Sequence, residues 1–153
     1  MNGEQQAAEQ HRRFAVDCFN HTWELLDKKR RTREEDDEMI HTAHASRYHW
    51  GVIGTPVHFA RGEWQISRVY AVLQKPEPAL YHARRCLEIC QENGIGDFDL
   101  AYAYEALARA SALAGKKSDT ERYVALGRGA GERIAEKDDR DQFIGDLKTI
   151  PSL

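Results

Sequence analysis

The chain has 153 residues, of which 41% are hydrophobic and 31% are charged, and its formal net charge is −3. This length predicts a single domain with one substantial core, and the composition is typical of a soluble globular protein. The slightly negative charge provides no basic field for nucleic acid or a membrane surface, and no stretch approaches the roughly 18 apolar residues of a transmembrane helix. The polar N-terminal segment lacks the apolar core of a secretory signal, so we expect a cytoplasmic protein.

Apolar residues recur at three- and four-residue spacing along the chain, which predicts an all-α fold of about six helices and a short C-terminal helix. The first helix is predicted from Gly3 to Arg31. A capping box of Thr32 and Glu35 is predicted to begin the second helix. The cations before this box and the acids within it match the dipoles of the two helix ends, which indicates a helix junction rather than a nucleic-acid patch.

Glycine and proline residues divide the rest of the chain into further helices. The second helix is predicted to end at Ile53, before Gly54. The bounds predicted for the later helices are Pro56–Gln74 for the third, with Thr55 as its N-cap, Pro76–Gly94 for the fourth, Phe98–Ala114 for the fifth and Asp139–Lys148 for the seventh. A second capping box, Ser118 with Glu121, is predicted to begin the sixth helix.

Two stretches of the chain share a pattern of large, small and aromatic residues. In WQISRVYAVLQKPEPALYHARRCLEI the pattern falls on Ile66, Ser67, Tyr70, Ala79 and Cys86. In EALARASALAGKKSDTERYVALGRGAGERI it falls on Leu107, Ala108, Gly115 and Gly127, whereas Ser111 and Thr120 depart from it. Both stretches resemble the tetratricopeptide repeat (TPR), a helix-turn-helix unit with small residues where its two helices touch.

The resemblance implies TPR-like antiparallel helix pairs that form a short right-handed solenoid, as a single domain over residues 1–153. Residues 1–55 would form a divergent leading pair, residues 56–95 and 96–137 two repeat-like pairs, and residues 138–153 a C-terminal cap. The two units are offset by more than the roughly 34 residues of the family's repeat, and we expect the surplus to lengthen the start of the fifth helix.

In TPR proteins the first helix of each repeat lines a concave groove. Matching the repeat in register gives the groove positions Arg61, Trp64 and Arg68 on the third helix and Tyr102, Glu105 and Arg109 on the fifth. Guanidinium groups beside aromatic rings suit a carboxylate, a phosphate or an acidic side chain. The resemblance therefore implies a module that binds an acidic or carboxylate-bearing protein or peptide segment, with no catalysis or cofactor required. The alternative for these residues is a solvated face with an internal Glu105–Arg109 pair.

Two charged residues fall on predicted apolar helix faces, Arg47 on the second helix and Glu63 on the third. They lie at nearly the same height from the intervening turn if the two helices pack antiparallel. We predict a structural ion pair between them, because either charge alone would be costly to bury. The functional alternative is that Glu63 is a general base or a metal ligand.

His41 and His44 are three residues apart on one helical face, so their imidazoles could share a metal ion. Together with Glu63 they would form a site for a divalent transition metal, in a metal-dependent enzyme or a sensor of a metal or small ligand. Packed or surface histidines are the simpler interpretation, since no HExxH, P-loop, dinucleotide fingerprint or CxxC pair is present.

A third hypothesis for the function of the protein is mainly structural: a homodimer formed through the first helix or the terminal cap.

Overall fold

The computed structural model describes residues 2–153, and this range contains seven α-helices and no strand. The helices are α1 (Gly3–Leu26), α2 (Arg33–Ile53), α3 (Pro56–Val72), α4 (Pro76–Glu92), α5 (Asp97–Leu113), α6 (Lys117–Glu132) and α7 (Lys137–Lys148). The prediction of an all-α fold is therefore confirmed. None of the helices in the described range is long and apolar enough to cross a membrane.

The junction between α1 and α2 differs from the prediction at one end. Helix α1 ends at Leu26 rather than at Arg31. Arg31 lies beyond the helix, where its Nη1 donates hydrogen bonds to the carbonyl oxygens of Leu25 (3.4 Å) and Lys28 (3.2 Å). The cation thus satisfies C-terminal carbonyl groups from outside the helix. The predicted capping box of Thr32 and Glu35 is present at the start of α2.

Two predictions about the later helices are wrong. Helix α6 begins at Lys117, so Ser118 lies inside its first turn and forms no capping box. Helix α5 is not lengthened at its start, because it has 17 residues and so does α3. The long offset between the two repeat-like units arises instead from the lengths of α3 and α4, which have 17 residues each and lie between the starts of the two units.

Consecutive helices form the most extensive contacts, which join α1 with α2, α3 with α4, and α5 with α6. The pairs are linked by contacts of α2 with α3 and of α4 with α5. Helix α3 also packs against both α1 and α5, and α7 packs against α5 and α6. The odd-numbered helices therefore lie next to one another in chain order.

Small residues allow neighbouring helices to approach each other closely at two places. Ala79 of α4 is fully buried, and the hydroxyl of Ser67 donates a 2.8 Å hydrogen bond to its carbonyl oxygen. At the other end, the ring of Phe143 in α7 packs directly over Gly131 of α6, where a Cβ atom would overlap the ring. Phe143 is fully buried, so this contact fixes α7 against the rest of the protein.

Candidate binding groove

A cavity of about 350 Å³ lies among the odd-numbered helices. Its lining residues are Phe19 and Trp23 of α1; Ala60, Arg61, Trp64 and Arg68 of α3; Cys86 of α4; Phe98, Asp99, Tyr102 and Glu105 of α5; and Gln142 and Asp146 of α7. Four of the seven helices thus provide nearly the whole wall. A concave site of this size, with apolar walls and a few polar groups, is the usual form of a ligand pocket.

Five of the six predicted groove residues line this cavity, namely Arg61, Trp64, Arg68, Tyr102 and Glu105. They come together because residues three and four apart share one face of a helix. Arg109 does not line the cavity. It borders an adjoining depression that it shares with Arg68.

Aromatic rings form a connected wall in the middle of the cavity. The ring of Trp64 lies 5.7 Å from that of Trp23 and also 5.7 Å from that of Tyr102, centroid to centroid. Tyr102 in turn contacts Phe98 at 4.6 Å. The sequence analysis missed Trp23 and Phe98 as groove residues. Trp23 was missed because the repeat resemblance begins only at the third helix and assigns no role to α1.

At one end of the cavity, Arg61 is paired with Asp99. Its Nε and Nη2 donate to the two carboxylate oxygens of Asp99 at 2.9 and 3.2 Å, which is a bidentate ion pair. This pairing raises the pKa of Arg61. Asp99 was not predicted as a site residue, although it lies near the start of α5 on the same helical face as Tyr102. The Arg61 guanidinium is thus already neutralised by the protein.

The predicted Glu105–Arg109 pair is present, but it is not on a solvated face. Arg109 Nε donates to Glu105 Oε1 at 2.7 Å, and Glu105 is only 2% exposed. Burial raises the pKa of Glu105, and the charge of Arg109 opposes that rise. Arg109 Nη2 also donates to the carbonyl oxygen of Asp146 (3.1 Å) and to Thr149 Oγ1 (2.7 Å). Arg109 therefore joins α5 to the C-terminal end of α7.

Arg68 differs from the other two arginines. Within residues 2–153 its guanidinium forms no hydrogen bond and no ion pair. It is partly buried, and burial followed by the nearby charge of Arg109 lowers its pKa. A guanidinium that has lost water without gaining a partner favours an anion brought by a ligand.

Asp146 of α7 also lines the cavity. Its Oδ2 accepts a 2.5 Å hydrogen bond from the hydroxyl of Tyr102. Burial, and then this carboxylate, raise the pKa of Tyr102 well above its ordinary value, so the hydroxyl remains a donor. Helix α7 was predicted only as a C-terminal cap. The contact between Tyr102 and Asp146 depends on how α7 packs, so it could not be predicted from the sequence.

The cavity continues into shallower depressions at both ends. One of these shares Phe19 and Arg61 with the cavity and extends to Trp50 and His58. The other shares Arg68 with the cavity; the remaining residues that line it are Ala71, Val72, Arg109, Ala112, Leu113, Pro151 and Leu153. Together the three form an elongated concave surface, which we call the groove.

Arg47 and Glu63 lie close together on the other side of α3. Arg47 Nε is 3.8 Å from Glu63 Oε2, within ion-pair distance but too long for a hydrogen bond. The same carboxylate oxygen is 3.3 Å from His82 Nδ1 of α4. The guanidinium of Arg47 also lies over the ring of Phe59, 4.6 Å from its centroid. His82 was not predicted as a partner of Glu63, because its position relative to α3 depends on helix packing.

The histidines proposed as metal ligands do not converge on one point. His41 is exposed, whereas His44 Nε2 forms a 2.9 Å hydrogen bond with the hydroxyl of Tyr70. The ring of His44 lies 5.4 Å from that of His82. Among the residues that the structure describes, no three histidine, cysteine, aspartate or glutamate side chains are arranged to hold a metal ion. The metal-dependent alternative stays a prediction.

A helical fold does not by itself specify a function, which depends on the chemistry of the groove. Comparison of the chain with models of known protein families and with curated proteins gives no match.

Proposed function

We propose that this chain is a TPR-like interaction module that binds an extended protein or peptide segment in the groove. The central cavity would receive one side chain of the segment, and the two shallower depressions would receive its flanking residues. The observation that carries this proposal is the continuity of the three concave regions through shared lining residues, Phe19 and Arg61 on one side and Arg68 on the other.

The dimensions of the groove favour a segment over a compact molecule. From Arg61 to Arg68 the groove follows α3 for roughly 10 Å, at about 1.5 Å per residue. An extended chain covers that distance with about three residues, at roughly 3.3 Å each. The depression beyond Arg68 reaches Val72, and the one beyond Arg61 reaches Trp50. The ends of a longer segment would therefore remain in contact with the protein.

The pairing of consecutive helices supports the proposed right-handed TPR-like solenoid. In the first repeat-like unit, the consensus small positions Ala79 and Cys86 are both buried against neighbouring helices. In the second unit, Thr120 is buried, and a Cβ atom at Gly127 would lie 3.5 Å from the Cβ atom of Tyr104. Odd-numbered helices that line one concave surface are also typical of this architecture.

The proposal is tested by selecting random displayed peptides on the wild-type protein and measuring the binding of synthetic versions. Trp23 and Trp64 line the cavity, so their fluorescence provides a direct readout of occupancy. We expect affinity to fall as salt is added, because charged groups contribute to binding. Arg68→Gln should weaken binding by about tenfold or more, the loss expected for a charge-assisted hydrogen bond.

Arg84→Gln is the matched control, because Arg84 is exposed on α4 and lies outside the groove. It removes the same charge and should leave affinity unchanged. Circular dichroism would establish that both variants retain their helices. Peptides that bind Arg68→Gln as tightly as wild type do not use this groove, and a failure to select any peptide would contradict the proposed function.

A further inference from the structure

The charged side chains of the groove divide into partnered and unpartnered groups. Two ion pairs are internal to the protein, Arg61 with Asp99 and Arg109 with Glu105. The charged groups that remain in the cavity wall are Arg68 and Asp146. These two have opposite signs, so the wall as a whole is close to neutral.

The charge of Asp146 acts to raise the pKa of Arg68, but within residues 2–153 the two side chains form no ion pair, although both line the same cavity. Arg68 has no hydrogen-bond acceptor in this range. Among residues 2–153, the hydroxyl of Tyr102 is the only donor to the side chain of Asp146, and it binds Oδ2, which leaves Oδ1 without a donor in this range. The wall of the cavity thus carries one vacant donor group and one vacant acceptor.

The cavity that both charged residues line is walled by aromatic rings. Trp64 and Tyr102 lie edge to face, with Trp23 beside Trp64 and Phe98 beside Tyr102. Such walls favour a flat or long apolar side chain, since they offer a large apolar surface and few hydrogen-bonding groups. An occupant that matched only the aromatic walls would leave Arg68 without a partner and Asp146 without a cation.

We infer that the segment bound in the groove carries one acidic and one cationic side chain near an apolar anchor residue. The acidic group pairs with Arg68, the cationic group pairs with Asp146, and the anchor enters the aromatic cavity. This inference rests on the proposed function, and it narrows the partner from an acidic segment to one with balanced charge. Charge complementarity supports this inference, because each charge of the ligand meets a protein group of opposite sign that has no ion-pair partner.

A segment with acidic residues alone satisfies only half of this wall. Its first carboxylate would pair with Arg68, but a second would meet Asp146, and like charges in a partly dehydrated site repel strongly. Arg61 and Arg109 offer little to a second anion, because their internal carboxylate partners already engage them. A segment with cationic residues alone could pair one cation with Asp146, but a second cation would be repelled by Arg68.

The test scans charges on both sides of the interface, with a peptide selected on the wild-type protein as the probe. Replacing its acidic residue by glutamine should weaken binding to wild type about tenfold but have little effect on binding to Arg68→Gln. Replacing its cationic residue by glutamine should have the same effect on wild type and little effect on Asp146→Asn. Asp37→Asn is the control for Asp146→Asn, because Asp37 is exposed on α2.

The outcomes separate this inference from the proposed function. Selected peptides with acidic residues only, whose affinity is unchanged by Asp146→Asn, would overturn the inference and leave the proposed function standing. Peptides insensitive to Arg68→Gln and to Asp146→Asn, or no selected peptides at all, would overturn both. If a variant loses its helices, the two peptide substitutions measured on wild-type protein still decide the matter, because each charge should contribute about tenfold.

Discussion

Glu105 and Arg109 stand one turn apart on α5 and form an ion pair that is almost wholly enclosed, with Glu105 Oε1 2.6 Å from Arg109 Nη2. Their side chains are only 3% and 19% exposed. The pair forms part of the groove wall, and the same guanidinium donates to α7. Arg109 therefore stabilises the wall that holds Asp146 rather than offering its charge to a ligand.

We expect Arg109→Ala to lower the free energy of unfolding by about 3–5 kcal/mol, because it leaves the Glu105 carboxylate buried without a partner. The double variant Glu105→Leu with Arg109→Met should lose much less, since it leaves no charge buried. Urea denaturation followed by circular dichroism measures both. A loss below about 1 kcal/mol in Arg109→Ala would mean that the pair is a weak surface interaction.

Gly131 is predicted to be indispensable for the docking of α7. A Cβ atom at this position would overlap the ring of Phe143, so Gly131→Ala should destabilise the protein by about 1–3 kcal/mol. Gly129→Ala on the same helix is the matched control, because no atom lies within 4 Å of its Cβ position. That change should stabilise the protein by roughly 0.5–1 kcal/mol through helix propensity. Equal thermal midpoints for the two variants would contradict the close α6–α7 contact.

His44 should make the protein less stable as the pH falls. Burial lowers its pKa below the ordinary 6.5, the charge of His82 lowers it further, Glu63 opposes this shift and His41 adds a small decrease. Because the unfolded chain then binds the proton more readily than the folded one, stability present above about pH 6.5 is lost as the pH decreases toward the folded-state pKa.

The measurement is the free energy of unfolding from about pH 7.5 to about pH 5 in wild type and in His44→Gln. The variant should show a shallower decrease, because glutamine can still bond to Tyr70 but does not titrate. His21 provides a contrast, since the hydrogen bonds that its ring donates to Glu38 and Glu24 raise its pKa, and its contribution to stability is lost as the pH rises. A decrease of the same slope in His44→Gln would exclude His44 as its source.

The predicted Arg47–Glu63 ion pair can be separated from the Glu63–His82 contact by double-mutant cycles. We expect coupling of about 0.5–3 kcal/mol for Glu63→Gln with Arg47→Met, because both side chains are largely buried and 3.8 Å apart. A second cycle, Glu63→Gln with His82→Gln, should also show coupling through the 3.3 Å contact. Additive effects in the first cycle would mean that the two charges are neighbours without a stabilising interaction.

The amino-acid sequence by itself determined the helices and most of their ends. Three- and four-residue apolar spacing, Pro56 and Pro76 in first turns, and the Thr32–Glu35 capping box are all local features, so they can be recognised without the rest of the fold. The common face of Trp64 and Arg68 also follows from helical periodicity. Local features did not identify the start of α6. Ser118 was predicted to begin this helix, whereas Lys116 is its N-cap, a fraction of a helical turn earlier.

The tertiary structure decided which side chains face one another across the groove and which are already partnered. Trp23 and Asp146 enter the cavity from helices that are distant in sequence, and no periodicity within α3 or α5 specifies where α1 and α7 pack. Pairing distinguishes Arg68 from Arg61, although both are arginines on the same face of α3, because Asp99 reaches only one of them. Such differences arise from contacts between helices, whose geometry depends on the packing of the whole core.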